Sequence, residues 1–312
     1  MNEPVEASRR VAVLLSTYNG ARFLAEQLDS LAAQAGVAVE VFVRDDGSVD
    51  ATPDILTGYA SRWPHLARVS GGPNLGPAMS FLEVLKGAPD GFDGYAFCDQ
   101  DDVWLPEKLA RACRALAAVP ADRPALYCSQ VTCVGADLRP LGPAPVKDDG
   151  RFEHLLFENI AFGVTVVMNA QAARLVRARP PVSRVIMHDW WCALVVSAFG
   201  EVIYDPAPGV LYRQHGGNEI GQGVGALPEM GRKLGKFLRR PSAFWPVRAQ
   251  AAELLRLWGD DLRPEHRDLA QRFVDSRATL AGRLAFAASG RIVKSSPVAE
   301  IFARGLVAAG LY

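Results

Sequence analysis

Residues 11–20 read VAVLLSTYNG, five apolar residues that end in a cluster of turn-forming ones. Continuous apolar runs of this length are typical of strands buried on both faces of a parallel sheet. A helical pattern follows at once, with Leu24, Leu28 and Leu31 on one face, and a second apolar run covers 37–43. Strands that alternate with helices of this length indicate βαβ units. The stretch therefore predicts an α/β fold built on a mainly parallel sheet flanked by helices.

The same alternation continues through the first half of the chain. Further strands are predicted at 66–70 and 95–98, and a helix begins at Thr52-Pro53, an N-cap followed by a first-turn proline. In such sheets, ligands bind beyond the carboxyl ends of the strands. The polar clusters at those positions are Ser16 to Asn19, Asp45 to Ser48, and Asp99 to Asp102.

The second half has a looser pattern. Strands are predicted at 126–134, 160–168, 202–204 and 210–212, and helices at 169–179, 189–199, 244–258 and 264–284. Strand patterns end near residue 221. We therefore predict an α/β domain over residues 1–220 and a helical C-terminal extension over residues 221–312.

The residue totals exclude several classes of partner and location. The chain has 34 Lys plus Arg and 34 Asp plus Glu, so it lacks the basic surplus that non-specific binding to nucleic acid requires. Its five dispersed cysteines suit neither a zinc site nor a disulfide scaffold and indicate a reducing cytoplasm. No apolar stretch reaches the length of a membrane span or a signal-peptide core, so any membrane contact is expected to be peripheral.

One segment concentrates negative charge. Residues 90–102 contain five aspartates and no lysine or arginine. A hard divalent cation with oxygen ligands, shared with the phosphates of a substrate, would relieve the repulsion between them. The alternative is a solvated acidic loop. The segment contains a buried-looking strand at a predicted ligand-binding edge, which favours the metal.

Motifs of other nucleotide-binding classes are missing after the first strand. Residues 16–23 read STYNGARF, which is neither GxGxxG nor GxxxxGKS. The chain therefore lacks the motif that would be expected of a dinucleotide-dependent oxidoreductase or of a P-loop NTPase.

Seven short motifs, in order along 11–221, carry a resemblance. They are the apolar strand at 11–15, Thr17-Tyr18-Asn19-Gly20, Asp45-Asp46-Gly47-Ser48, Asn74-Leu75-Gly76, Asp99-Gln100-Asp101-Asp102-Val103-Trp104, His188-Asp189-Trp190-Trp191, and Tyr212-Arg213-Gln214-His215-Gly216-Gly217-Asn218. This order resembles the family 2 glycosyltransferases, whose GT-A fold is Rossmann-like, and the later motifs are similar to the bacterial rhamnosyltransferase-like branch. The last ninety or so residues resemble no family that we can name.

The resemblance implies a role for each motif. Tyr18 would stack on the nucleobase with Ser16 and Thr17 close by, Asp46 would bind the base edge, and Asn74 would lie beside the nucleotide. Asp99 and Asp101 would form the DxD element that binds Mg²⁺ or Mn²⁺, with Asp101 the direct ligand and Asp99 nearer the ribose or metal. His215 would contact the metal or the diphosphate. Ser80 departs from the family, where many relatives carry Asn before Phe81, and this weakens any inference about sugar contacts there.

Asp189 is the candidate general base. Sugar transfer with inversion needs one carboxylate that takes the proton from the acceptor hydroxyl as it attacks the anomeric carbon. The alternative is an N-cap, because Asp189 precedes the helical run 190–199. Trp190 or Trp191 could line the acceptor pocket, although buried packing is expected for at least one of them. Arg213 could pair with phosphate or with a structural carboxylate.

The segment 229–240 is basic, with five Lys or Arg against one Glu. Apolar residues interleave with these charges, so the segment could lie on an anionic membrane as an amphipathic helix. The alternatives are a solvated helix face or an arm that clasps another subunit of a homo-oligomer.

The sequence therefore predicts a cytoplasmic, metal-dependent, inverting glycosyltransferase. The resemblance implies dTDP-L-rhamnose as the donor and a surface polysaccharide or its lipid-linked precursor as the acceptor. The alternatives are a UDP-hexose-dependent transferase, a noncatalytic nucleotide-sugar-binding protein and, more weakly, a metal-dependent phosphohydrolase.

Overall fold

A computed structural model of the chain describes residues 8–144, 149–182, 185–215 and 246–312. One nine-stranded sheet forms its centre, in the order β3-β2-β1-β4-β8-β6-β9-β5, with β7 paired to β6. The strands are β1 (Arg9–Thr17), β2 (Val37–Asp45), β3 (Leu66–Gly71), β4 (Gly94–Cys98), β5 (Val103–Trp104), β6 (Ala125–Val134), β7 (Pro140–Pro143), β8 (Val167–Asn169) and β9 (Glu201–Arg213).

The helices cover both faces of this sheet. They are α1 (Leu24–Ala32), α2 (Thr52–Arg62), α3 (Pro77–Gly87), α4 (Lys108–Ala117), α5 (Phe152–Leu155), α6 (Ala170–Ala178), α7 (His188–Phe199), α8 (Pro246–Trp258), α9 (Pro264–Asp275), α10 (Leu280–Ala288) and α11 (Pro297–Ala308). Short 3₁₀ helices cover Gly163–Thr165 and Ser276–Ala278.

The predicted α/β fold is confirmed, and its sheet is parallel in the N-terminal half. Strands β3, β2, β1 and β4 run parallel to one another, whereas β8 is antiparallel to both β4 and β6. Beyond β8 the sheet is mixed, because β6 and β9 are parallel and β5 and β7 are antiparallel to their partners.

Alternation along the buried strands divides the core into two layers. In β1, Ala12 and Leu14 pack with α3, α6 and α7, while Val13 and Leu15 face α1, α2 and α4 on the other side. Both sets of side chains are fully buried, which is why the strand reads as one continuous apolar run.

The described C-terminal helices share the first of these layers. Trp258, Phe273, Phe286 and Tyr312 belong to the same buried cluster as Phe157 and the helices under the sheet. The domain boundary predicted between residues 220 and 221 lies outside the described residues, as do the Gly216 to Asn218 part of the His215 motif and the basic segment 229–240.

The strands predicted in the second half need two corrections. Residues 160–168 do not form one strand, because a 3₁₀ turn at Gly163–Thr165 interrupts them and only Val167–Asn169 pairs in the sheet. The two short strands predicted at 202–204 and 210–212 are one strand, β9, whose irregular pairing with β6 absorbs the proline and glycine residues between them.

Three helix boundaries also differ from prediction. Thr52 is the first residue of α2 and not its N-cap, and its hydroxyl accepts the Gly20 N–H at 2.8 Å. The helix predicted over 264–284 is two helices, α9 and α10, with a 3₁₀ turn between them. Asp189 is not an N-cap either, since α7 begins at His188 and Met187 holds the cap position.

All five cysteines are buried free thiols. Within the described parts of the chain, we find no helix with both the length and the hydropathy needed to cross a bilayer.

Candidate active site

The predicted polar clusters meet at the carboxyl edge of the parallel strands. Thr17 at the end of β1 pairs in register with Asp45 at the end of β2, and Leu15 pairs with Cys98 at the end of β4. The loops that follow these strands therefore leave the sheet side by side. This convergence places the Tyr18 loop, the Asp46 loop and the acidic loop 99–102 around one location.

Asp45 holds two of these loops together. Its carboxylate accepts the Thr17 hydroxyl at 2.8 Å, and the Ser48 backbone N–H and hydroxyl at 3.0 and 2.6 Å. The Asn19 N–H in turn donates to the Ser48 hydroxyl at 2.9 Å. Asp45 and Thr17 stabilise the ends of β1 and β2, because both side chains are buried and hydrogen-bonded to each other.

Asp46 is buried, and both oxygens of its carboxylate accept hydrogen bonds. Its carboxylate accepts the backbone N–H groups of Leu75 and Gly76 at 2.9 to 3.0 Å and forms an ion pair with Arg44. Asn74 is exposed beside it, and its amide oxygen accepts the Gly76 N–H at 3.0 Å. Asp46 and the Asn74 loop are thus adjacent, and the Asp46 carboxylate itself holds that loop in place.

Ser16 and Tyr18 flank this group on the β1 side. The Ser16 and Ser80 hydroxyls lie 2.6 Å apart, and Ser80 also accepts a hydrogen bond from Arg44. Tyr18 is about half exposed, with 48% of its surface accessible, so its ring is free to meet a planar ligand. Its backbone exchanges two hydrogen bonds with the Gln100 side chain, which ties it to the acidic loop.

The acidic loop packs against the end of β9. Asp101 lies 2.8 Å from the His215 ring, and the Asp102 carboxylate accepts the Arg213 backbone N–H at 2.8 Å. The buried Arg213 guanidinium donates to the Asp101 carbonyl and forms an ion pair with Glu26. Its charge is therefore engaged in a structural pair.

The carboxylates of this loop are electrostatically strained. Burial, with added repulsion from Asp101 and Asp189, raises the pKa of Asp99 from 3.8 to about 8. Burial and the charges of Asp101 and Asp99 also raise the pKa of Asp102 well above its usual range. Opposite charge supplied by a cation would reverse both effects.

The metal-ligating side chains suit a cation site that a substrate completes better than one enclosed by protein ligands alone. No group of three or more His, Cys, Asp or Glu side chains forms a metal cage among the described residues. Mg²⁺ is commonly held by one or two carboxylates while substrate phosphates and water complete its coordination. Asp99 and Asp101 could supply the one or two carboxylates of such a site, and His215 lies 2.8 Å from Asp101.

Asp189 lies at the start of α7, with its carboxylate in the same cluster. It is buried, and it accepts hydrogen bonds from the Asn159 side chain, from the Gly163 backbone and from the Trp190 N–H at 2.6 Å. Burial raises its pKa to about 6, although these hydrogen bonds act in the opposite direction. A carboxyl group with a pKa near 6 is suited to accept a proton at neutral pH.

The residues around Asp189 fix its position. His188 stacks on Phe81 with ring centroids 3.9 Å apart, and burial lowers its pKa to about 3, so the ring is neutral. Gly163 lies against both side chains, because a Cβ at this position would be 3.0 Å from the His188 Nε2 and 3.5 Å from the Asp189 Oδ2. The 3₁₀ turn that interrupts the predicted strand is therefore the element that cradles the candidate base.

The two tryptophans after Asp189 have different environments. Trp191 is fully buried, in agreement with the prediction that at least one of them packs in the core. Trp190 is partly buried and donates its indole N–H to the Leu155 carbonyl at 2.6 Å.

Sequence reasoning missed two site residues. Tyr212 lies among the carboxylates, since burial and the charges of Asp99, Asp102, Asp101 and Asp189 together raise its pKa. Arg44 binds Asp46 directly. Tyr212 was part of a quoted motif and could have been proposed, whereas only the folded chain shows that Arg44 turns inward.

Known proteins are similar in sequence to part of this chain. The family model described as Glycosyl transferase family 2 matches residues 12–162. The dTDP-rhamnosyl transferase RfbG of Shigella flexneri is 26% identical over 67% of this chain and 74% of its own length. Rv1520 of Mycobacterium tuberculosis is 29% identical over 66% of this chain and 59% of its own length.

Solved structures agree on the fold. The structure of Staphylococcus aureus TarS 1-349 in complex with UDP-GlcNAc superimposes with a TM-score of 0.60 and 16% sequence identity. The match covers 91% of this chain and 82% of the TarS chain. A second similar structure is the mannosyltransferase PcManGT from Pyrobaculum calidifontis in complex with GDP-Man and Mn²⁺, with a TM-score of 0.52 and 20% sequence identity. The match covers 98% of this chain and 82% of the PcManGT chain. Residues 12–162 therefore form a domain of glycosyltransferase family 2, and the chain is a glycosyltransferase of GT-A fold.

Proposed function

We propose that the protein is a metal-dependent, inverting glycosyltransferase that moves L-rhamnose from dTDP-L-rhamnose to a surface polysaccharide or its lipid-linked precursor. The observation that carries this proposal is the meeting of Asp189 with the acidic loop after β4, which is close enough for the Asp189 charge to raise the pKa of Asp99. A candidate base and a candidate diphosphate site thus share one location. The similarity to RfbG supports the choice of donor.

The donor nucleotide is proposed to lie over the ends of β1 and β2. Tyr18 would stack on the base because its ring is the exposed aromatic group there. Ser16, Thr17 and Asn74 would line the nucleotide site. Asp46 would bind the base edge by exchanging one of its present backbone donors for the N–H of the base, since its carboxylate is already saturated.

Asp189 is proposed to act as the general base. The acceptor O–H gives its proton to the Asp189 carboxylate, the acceptor oxygen forms a bond to the anomeric carbon, and the bond from that carbon to the diphosphate oxygen breaks with its electron pair. One displacement of this kind inverts the anomeric configuration. Asn159, Gly163 and the Trp190 N–H would orient the carboxylate, because their hydrogen bonds fix its plane.

Asp99, Asp101 and His215 are proposed to hold Mg²⁺ or Mn²⁺. When bound, the cation would neutralise the charge that develops on the leaving diphosphate. Tyr212 lies among the same carboxylates, where its neutral hydroxyl can donate a hydrogen bond to an anionic ligand.

We also propose that the enzyme works in the cytoplasm, at the inner face of the cell membrane, with residues 1–220 as the GT-A domain and 221–312 as the helical extension. Five buried free thiols support a reducing compartment.

The donor assignment can be tested by competitive titration. The purified protein with Mg²⁺ would be titrated with dTDP and with UDP, and then incubated with dTDP-L-rhamnose and candidate acceptors. We expect dTDP to bind more tightly than UDP and rhamnose to be transferred. Tighter binding of UDP, with transfer from UDP-hexoses only, would overturn the donor assignment. Metal-dependent nucleotide binding without transfer or donor hydrolysis would favour a noncatalytic binding protein.

A further inference from the structure

The last two helices expose apolar side chains to solvent. At every exposed position of α10 and α11, both described over their full length, the residue is apolar or small. These positions are Leu280, Ala281, Leu284, Ala285 and Ala288 on α10, and Pro297, Val298, Ile301, Phe302 and Gly305 on α11. We call this surface the C-terminal apolar face.

A neighbouring helix shows how an ordinary solvent face differs. The exposed positions of α9 are polar or charged apart from its first proline: Glu265, Arg267, Gln271, Arg272 and Asp275. Surface helices normally place such residues opposite their buried stripe. Five of the ten large apolar side chains that are exposed among the described residues lie instead on the C-terminal apolar face. Clustering of this kind marks an interaction surface.

The face is preformed because its underside is anchored. Phe286 of α10 and Ala303 and Val307 of α11 are buried in the same core cluster as Phe273. The two helices also pack against each other. The two helices are therefore held in place by their buried sides. Their exposed apolar residues are not needed to pack the core.

Charge in this part of the chain selects the kind of partner. Residues 276–312 contain five Arg or Lys and one Glu, and residues 221–312 contain fifteen Arg or Lys against eight Asp or Glu. Residues 1–220 have the opposite balance, nineteen against twenty-six. The neutral chain is thus divided into an acidic N-terminal part and a basic C-terminal part.

Apolar exposure within a basic region matches an anionic lipid surface. A second copy of the chain is a poorer occupant, because a two-fold interface would bring the same basic regions together. Lipid headgroups supply the complementary charge, and the acyl boundary supplies the apolar environment. We propose that the C-terminal apolar face docks the protein on an anionic lipid membrane.

The docking deepens the proposed function, since a lipid-linked acceptor lies at such a surface, but it rests on the helix pair and not on the donor site. Vesicle binding needs no donor, and nucleotide titration needs no vesicles. The failure of one idea is therefore distinguishable from the failure of the other.

The test is flotation of the full-length protein with vesicles of phosphatidylcholine alone or with added phosphatidylglycerol. We expect binding to the anionic vesicles, weakened by high salt because headgroup attraction is screened. Ile301→Gln and Leu284→Gln should each reduce it about tenfold. Arg277→Gln should reduce it about fivefold at low salt. Nucleotide affinity should not change in any of these variants.

Leu141→Gln is the matched control, because Leu141 is an exposed apolar residue on β7, outside the face. It should bind anionic vesicles as the parent does. Equal binding to neutral and anionic vesicles, or parental binding by Ile301→Gln, would overturn the proposal. So would a parent that binds no vesicles and sediments as a dimer, with Ile301→Gln a monomer, since the face would then join two copies.

Discussion

The substitution Asp189→Asn removes the candidate base and leaves its surroundings in place. Asparagine has the same shape, and its amide oxygen can still accept the Trp190 N–H that Asp189 now accepts at 2.6 Å. What the side chain loses is the ability to take a proton. General-base catalysis contributes a factor of about 10² to 10⁴, so we expect the transfer rate to fall by about 10³ while donor affinity stays unchanged.

The pH dependence of the parent provides a second signature. Burial raises the pKa of Asp189 to about 6, and only the ionised form can accept the proton. The parental rate should therefore rise about tenfold per pH unit below pH 6 and level off above it. The residual rate of the variant should lack this rise.

As the pH rises, the free energy of unfolding should fall while the transfer rate rises. The pKa of Asp189 is higher in the folded state, about 6 against 3.8, so the unfolded chain releases this proton first as pH increases. Stability consequently falls between about pH 4 and pH 6 and stays lower above that, with a cost of about 3 kcal/mol for the buried carboxylate. Asp189→Asn avoids this cost, and it should unfold at a higher temperature than the parent at pH 8 but not at pH 3.5.

Initial rates with radiolabelled donor from pH 5 to 9, together with thermal unfolding at both pH values, would check these expectations. Asp260→Asn is the matched control, because its carboxylate is 97% exposed and it should leave rate and stability unchanged. A variant that transfers sugar at the parental rate would refute the base assignment. A variant that is less stable than the parent at pH 8 would refute the reasoning about burial.

Three further substitutions test the support of the site. Gly163→Ala places a methyl group against the cradle of the candidate base, so kcat should fall about tenfold, whereas Gly58→Ala, with open space around it, should have no effect on kcat. Arg44→Ala leaves a buried carboxylate without its ion-pair partner and should destabilise the fold by about 3 kcal/mol in a urea titration, against less than about 1 kcal/mol for the exposed Arg139→Ala. EDTA should abolish transfer, Mn²⁺ should restore it, and Asp101→Asn should raise the Mn²⁺ concentration needed by about tenfold, as measured from initial rates.

The convergence of the loops after β1, β2 and β4 could be predicted from the sequence because parallel strands leave little freedom. An apolar run buried on both faces has one direction in which its end can present ligand-binding loops. The register of Thr17 with Asp45 follows from two strands that neighbour each other in the chain. The meeting of the Tyr18, Asp46 and Asp99 loops could therefore be predicted without coordinates.

The hydrogen-bond partners of each carboxylate could not be predicted in the same way. Asp45 and Asp46 are adjacent in sequence, yet one joins the β1 and β2 loops while the other binds the loop before α3. Their partners come from about thirty residues away, and the choice depends on which side of the strand end each residue faces. A local pattern contains no information about that.

The strand predicted before Asp189, over residues 160–168, was wrong for a different reason. Residues 160–168 are apolar and mostly buried, and a short apolar run cannot distinguish a strand from a buried turn. Gly163 was the available signal, since glycine inside a strand pattern marks a bulge or a close approach. Here the close approach is to His188 and Asp189 themselves.

The charges of the site give the strongest physical reason to expect a cation. Asp99, Asp101 and Asp102 come from one loop, and Asp189 adds a fourth carboxylate from α7. Arg213 contacts this group and acts to lower the pKa of Asp102, but burial and the neighbouring carboxylates outweigh its charge, which is also paired with Glu26. A nucleotide diphosphate would bring further negative charge to a region where burial and repulsion already raise the pKa of Asp99 to about 8. Positive charge from a bound cation would offset this repulsion, and we expect cation and nucleotide to bind with positive cooperativity, each increasing the affinity for the other by the same factor.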